Sequence, residues 1–132
     1  MANDGAILIG KSGKPENLLL KLANRHGLVT GATGTGKTVT LQVMAEGFSA
    51  SGVPVFCSDV KGDLAGLSQA GEAKVFLAKR AEQIGFTAEY KFQAFPVIFW
   101  DLFGKDGHPI RSTVSEIGPL LFSRLLDLND TQ

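Results

Sequence analysis

The sequence predicts an α/β fold with a largely parallel sheet. Three observations predict it. Short strand-like runs alternate with longer stretches of helical period. A glycine-rich segment joins one such run to an amphipathic stretch. Glycines stand where the helical patterns stop, at Gly52 and Gly85.

Residues 6–9 read as a short strand, ended by Gly10-Lys11-Ser12-Gly13-Lys14-Pro15. Residues 18–22 form a second apolar run, and the two are expected to pair as a small N-terminal hairpin. Residues 28–30 read as a strand running into the glycine-rich loop. Residues 37–51 read as a helix, with Leu41, Met44, Ala45 and Phe48 on one face. Residues 53–58 read as a buried strand from their β-branched and aromatic content. A loop, Asp59-Val60-Lys61-Gly62-Asp63, follows. Residues 73–84 read as a second helix, with Ala73, Leu77, Ala81 and Ile84 on one face. Residues 97–100 read as another strand, after Pro96 and before Asp101. Residues 104–108 read as a turn. Thr113-Val114-Ser115-Glu116 fits the capping box of a helix start. Gly118-Pro119 interrupts that helix, and the pattern resumes over 120–128.

The chain of 132 residues is expected to hold one domain, 1–132. Hydrophobic residues make up 44% and charged residues 20%, ordinary values for a globular protein. Thirteen basic side chains balance thirteen acidic ones, so charge gives no hint of a nucleic-acid partner. No run approaches the roughly 20 apolar residues of a membrane-spanning helix, and no signal peptide is expected. The single cysteine, Cys57, lies in an apolar run. It is read as a buried core residue rather than a nucleophile, and one cysteine suits a reducing cytoplasm.

The strongest motif is Gly31-Ala32-Thr33-Gly34-Thr35-Gly36-Lys37-Thr38, which has the pattern G-x-x-x-x-G-K-[ST]. It defines a phosphate-binding loop, the P-loop. Gly31, Gly34 and Gly36 let the backbone curl so that its N–H groups converge on an anion. A helix starting near Lys37 adds its positive end. Lys37 is expected to reach the β- and γ-phosphates, and the Thr38 hydroxyl to ligate magnesium. The nucleotide site is thus read as Gly31, Ala32, Thr33, Gly34, Thr35, Gly36, Lys37, Thr38 and Val39, with ATP and magnesium as the cofactors.

Two aspartates end apolar runs, Asp59 and Asp101. Such an aspartate can hold magnesium from a neighbouring strand. Neither is followed by a glutamate to polarise water. Asp59 carries the stronger claim to a site role and is taken, with Lys37, as a catalytic candidate. Asp59-Val60-Lys61-Gly62 also matches the D-x-x-G of GTPases, but no N-K-x-D guanine reader accompanies it. Lys61, Asp63 and His108 read as plain loop residues, and His26 as a minor candidate for a base contact. Phe92, Phe95, Phe99, Trp100 and Phe103 read as core rather than as a stacking platform. No histidine or cysteine pair has metal-ligand spacing, and no zinc site is expected.

Residues 24–38, running from Asn24-Arg25-His26-Gly27 through the P-loop, resemble the corresponding region of bacterial HerA-like ATPases of the HerA/FtsK superfamily. Asp59-Val60-Lys61-Gly62-Asp63-Leu64 resembles the acidic, glycine-containing loop those proteins carry after the next strand. Residues 95–104 and 114–132 resemble the uncharacterised helicase-type subgroup. The resemblance implies a RecA-like three-layer sandwich, ATP with magnesium, a homo-hexameric ring and DNA translocation. Family members are longer, and their Walker B strand and inter-subunit arginine lie beyond the stretch matched here. The chain is therefore expected to be an N-terminal, incomplete part of a P-loop NTPase, with Asp101 outside the Walker B role. The expected function is ATP binding, with hydrolysis driving a DNA motor in the parent. The alternatives are a nucleotide-binding fragment without turnover and a GTPase-like switch.

Overall fold

The computed structural model describes residues 5–87 and 90–128. The chain divides into two compact units, Met1–Pro96 and Val97–Gln132. Together they hold three α-helices and two two-stranded sheets among the described residues.

In the first unit, β1 (Ala6–Lys11) and β2 (Pro15–Leu19) pair antiparallel, with Ala6 opposite Leu19 and Lys11 opposite Pro15. The predicted hairpin is present. Its turn is tight: Gly13 takes φ 86°, and the Ser12 N–H donates to the Lys14 carbonyl at 3.0 Å. Pairing can therefore begin at Pro15, earlier than the apolar run suggested. The end of that run, Leu20–Leu22, winds into one 3₁₀ turn.

Helix α1 spans Lys37–Ala50. Gly52 ends it as predicted, at φ 76°, and the Val53 N–H donates back to the Phe48 carbonyl at 3.0 Å. The buried residues of α1 are Ala45 and Gly47, whereas Leu41 remains 44% exposed. Ala45 of the predicted face is thus buried, whereas Leu41 of that face is not. Gly47, off the predicted face, is buried because Ile7 of β1, itself fully buried, packs where a side chain at residue 47 would stand.

Helix α2 spans Val75–Ile84, starting two residues later than the periodicity predicted. Gly85 closes it at φ 71°, with the Phe86 N–H donating to the Ala81 carbonyl at 2.8 Å. Ala81 is buried, while Ala73 lies outside the helix. Leu77, Ala81 and Ile84 line a groove of about 260 Å³ together with Leu8, Val43 and Glu46. The groove lies between the hairpin, α1 and α2.

The parallel sheet of a three-layer sandwich is not formed by the described residues. Residues 28–30 and 53–58 pair with no strand, and Leu28 and Phe56 are each 88% exposed. Cys57 is exposed, which corrects its reading as a core residue. The physical reason is locality. A helix closes its hydrogen bonds within its own segment, whereas a parallel strand needs partners a crossover away.

In the second unit, β3 (Trp100–Asp101) and β4 (His108–Pro109) form a short parallel pair. The strand predicted over 97–100 is reduced to these two residues and shifted toward Asp101. Trp100 is 61% exposed and Phe103 79%, so these aromatic residues are not core. Helix α3 (Val114–Leu125) starts at the predicted capping box. The Glu116 N–H donates to the Thr113 hydroxyl, and the Thr113 N–H donates to the Glu116 carboxylate. Gly118, at φ 73° before Pro119, kinks it where the sequence placed the interruption.

Candidate phosphate-binding loop

The loop is built from the backbone upward. Gly34 and Gly36 take φ 82° and 92°, values that a β-carbon disfavours. A β-carbon on Gly31 would lie 2.6 Å from the Thr35 hydroxyl oxygen. These three glycines allow the chain to double back between residues 31 and 36. The turn is held by the Ala32 carbonyl, which accepts from the Thr35 N–H at 3.4 Å and from the Thr35 hydroxyl at 2.7 Å.

Gly36 is the N-cap of α1 and brings no side chain to cap it. The first turn carries no acidic residue either. The opening N–H groups of α1 therefore have no side-chain acceptor, and the helix dipole places positive charge at that end. The Lys37 ammonium folds back to donate to the Ala32 carbonyl at 2.7 Å. It is thus held beside the loop and the helix start, where an anion would meet it. Chemically, the arrangement suits a multiply charged phosphate group. Thr33 lies in the exposed bend of the loop, and Thr38 and Val39 lie in the first turn of α1.

Asp59 organises its own loop. One carboxylate oxygen accepts from the N–H groups of Lys61 at 3.3 Å and Gly62 at 2.9 Å; the other accepts from Leu64 at 2.8 Å. The hydrogen bond from the Leu64 amide, with those of Gly62, Lys61 and Asp63, holds its carboxyl below the usual aspartate range. The Gln42 side-chain amide of α1 donates to the Asp63 carbonyl at 2.9 Å and so ties this loop to the helix. Sequence reasoning passed over Gln42. The signal available was its place one helical turn after Thr38, on the same side of α1.

Asp101 behaves alike in the second unit, accepting from the N–H groups of Phe103 at 3.1 Å, Lys105 and Asp106 at 3.1 Å. Those bonds, led by Phe103, lower its pKa. Among the described residues, no three of histidine, cysteine, aspartate and glutamate gather closely enough to hold a metal ion. No described helix is long and apolar enough to cross a membrane.

The elements above define a mixed α/β protein with a glycine-cornered loop feeding an uncapped helix. The profile of the family described as helicase HerA-like C-terminal matches residues 5–132, and the chain belongs to that family. No curated protein matches the chain, and no solved structure matches it.

Proposed function

We propose that residues 31–39 bind the phosphates of ATP with magnesium, and that the parent protein is a DNA-motor ATPase of the HerA type. The observation that carries this reading is the loop itself. Gly34 and Gly36 in left-handed conformation lead into a helix start with no side-chain cap, and Lys37 is folded beside it. Membership of a helicase HerA-like family supports the motor reading.

In this reading the loop amides and Lys37 hold the triphosphate and offset the charge that develops as water attacks the γ-phosphate. Thr38 would ligate magnesium, which when bound neutralises charge on the phosphate oxygens. Asp59 would act from its loop beside α1. The homo-hexameric ring, DNA engagement and a cytoplasmic location belong to the same proposal.

A second reading, nucleotide binding without turnover by this chain, is favoured by one observation. The carboxylates of Asp59 and Asp101 each accept three backbone N–H groups, and no glutamate follows either residue.

Amide resonance mapping tests the site. Adding Mg-ADP is expected to shift the amide signals of Gly34, Gly36, Lys37 and Thr38 most. Shifts confined to other segments would remove the assignment.

A further inference from the structure

The contact between Gln42 and Asp63 joins two parts of the first unit that are 21 residues apart in sequence. On one side stands α1, whose first turn holds Lys37 and Thr38. On the other stands a loop that Asp59 makes into a unit by accepting the N–H groups of Lys61, Gly62 and Leu64. Thr38 and Gln42 are four residues apart on the helix, so they share a face and sit about 6 Å apart along its axis. The amide of Gln42 therefore fixes the Asp59 loop to the side of α1 that also presents Thr38. Because Gln42 binds a backbone carbonyl, the attachment does not depend on the identity of the Asp63 side chain. Asp59 also brackets Asp63, accepting from the Gly62 and Leu64 amides on either side of it.

We propose that Gln42 is a positioning residue that couples the phosphate loop to the Asp59 loop: occupation of residues 31–38 by nucleotide is felt at residues 59–64 through α1 and the Gln42 amide. The coupling rests on the phosphate-site reading above. It gives Asp59 a defined place beside the site without requiring its carboxylate to leave its own loop.

Hydrogen exchange on the whole chain, free and with Mg-ADP, tests it. In the wild type, Mg-ADP is expected to slow exchange at the Gly62 and Leu64 amides. Gln42→Ala keeps a good helix former in α1, and its fold is checked by circular dichroism. In the free chain it is expected to speed exchange at those amides roughly two- to ten-fold, the worth of one lost hydrogen bond. It should bind Mg-ADP within about three-fold of the wild type, because the loop and Lys37 supply the phosphate contacts. The response of the loop to nucleotide should be lost. Gln42→Lys, which retains a donor of similar reach, is expected to restore that response, whereas Gln42→Glu, which has none when ionised, is not. Nucleotide binding without any response at Gly62 and Leu64 in the wild type would overturn the coupling alone. Equal responses in the wild type and Gln42→Ala would overturn the role of Gln42. Absence of nucleotide binding in the wild type would overturn the phosphate-site reading and the coupling with it.

Discussion

Ile7 occupies the space that a side chain at position 47 would need: a β-carbon on Gly47 would lie 2.6 Å from Ile7 Cγ2 and 2.8 Å from Cγ1. Ile7 is fully buried, the largest side chain to be so among the described residues. The hairpin is thus seated on α1, and α1 carries Lys37 and Thr38 at its other end. A glycine inside a helix costs about 1 kcal/mol relative to alanine. Here that cost is offset by the close approach it permits.

Gly47→Ala is therefore expected to lower stability by about 1–3 kcal/mol, although it improves helix propensity. Ile7→Ala is expected to cost about 2–5 kcal/mol. The double variant should cost less than the two separate losses added together, because removing the Ile7 side chain opens the space that the added methyl group needs. Urea unfolding of the four proteins gives the coupling. Strict additivity would show that the two side-chain positions do not meet.

The capping box gives a second stability test. Thr113 accepts the Glu116 N–H, and Glu116 accepts the Thr113 N–H at 2.9 Å. Thr113→Ala is expected to cost about 1 kcal/mol of helix stability. The bond from the Thr113 N–H, then those from the Thr113 and Ser112 hydroxyls, lower the Glu116 pKa. Its stabilisation is present above the ordinary glutamate value and is lost as the pH falls through the lowered one. The loss of α3 helicity is thus expected in acid, as the pH falls through that lowered value. Circular dichroism against pH follows it.

Glu46 should show the opposite sign. Burial against the groove raises its pKa above 4.5. The folded protein then holds this proton more tightly than the unfolded chain. Stability from this group is greatest at low pH and falls as the pH rises through the raised value. Glu46→Gln is expected to raise the melting temperature at neutral pH and to flatten the profile between 4.5 and the raised pKa. Thermal unfolding across that range checks it; a fall at neutral pH would contradict it.

Turnover by this chain is expected to be near background even if nucleotide is bound. Hydrolysis calls for a carboxylate that orients water and an arginine that offsets charge, which can be worth about 10³–10⁵ in rate. Asp59 and Asp101 are engaged by backbone amides. A phosphate-release assay reads the rate, and multiple turnover abolished by Asp101→Asn would show that Asp101 holds the Walker B role.

The sequence disclosed what is local. The helix from Lys37, the stops at Gly52 and Gly85, the capping box at Thr113 and the kink at Gly118 each depend on residues within a few positions of one another. What depends on distant partners was not legible. Residues 53–58 have the composition of a buried strand, yet composition does not supply a ladder partner, and Phe56 stands 88% exposed. Spacing within α1 placed Ala45 inward rightly and Leu41 wrongly, and the burial of Gly47 against Ile7 depends on another element. At the candidate site, the loop glycines were read from their motif. Gln42 was not, because its partner is a backbone carbonyl; only its place one turn after Thr38 marked it.

Calorimetric titration of Mg-ATP into the wild type and Lys37→Ala tests most directly whether residues 31–39 hold nucleotide phosphates. Lys37 sits beside the loop through its bond to the Ala32 carbonyl, and its removal deletes the cation that would pair with the phosphates. Saturable binding by the wild type is expected, with only a weak preference over GTP, and at least a ten-fold loss in Lys37→Ala, about what one charge-assisted contact is worth. Equal affinities in the two proteins, or no binding by the wild type, would contradict it.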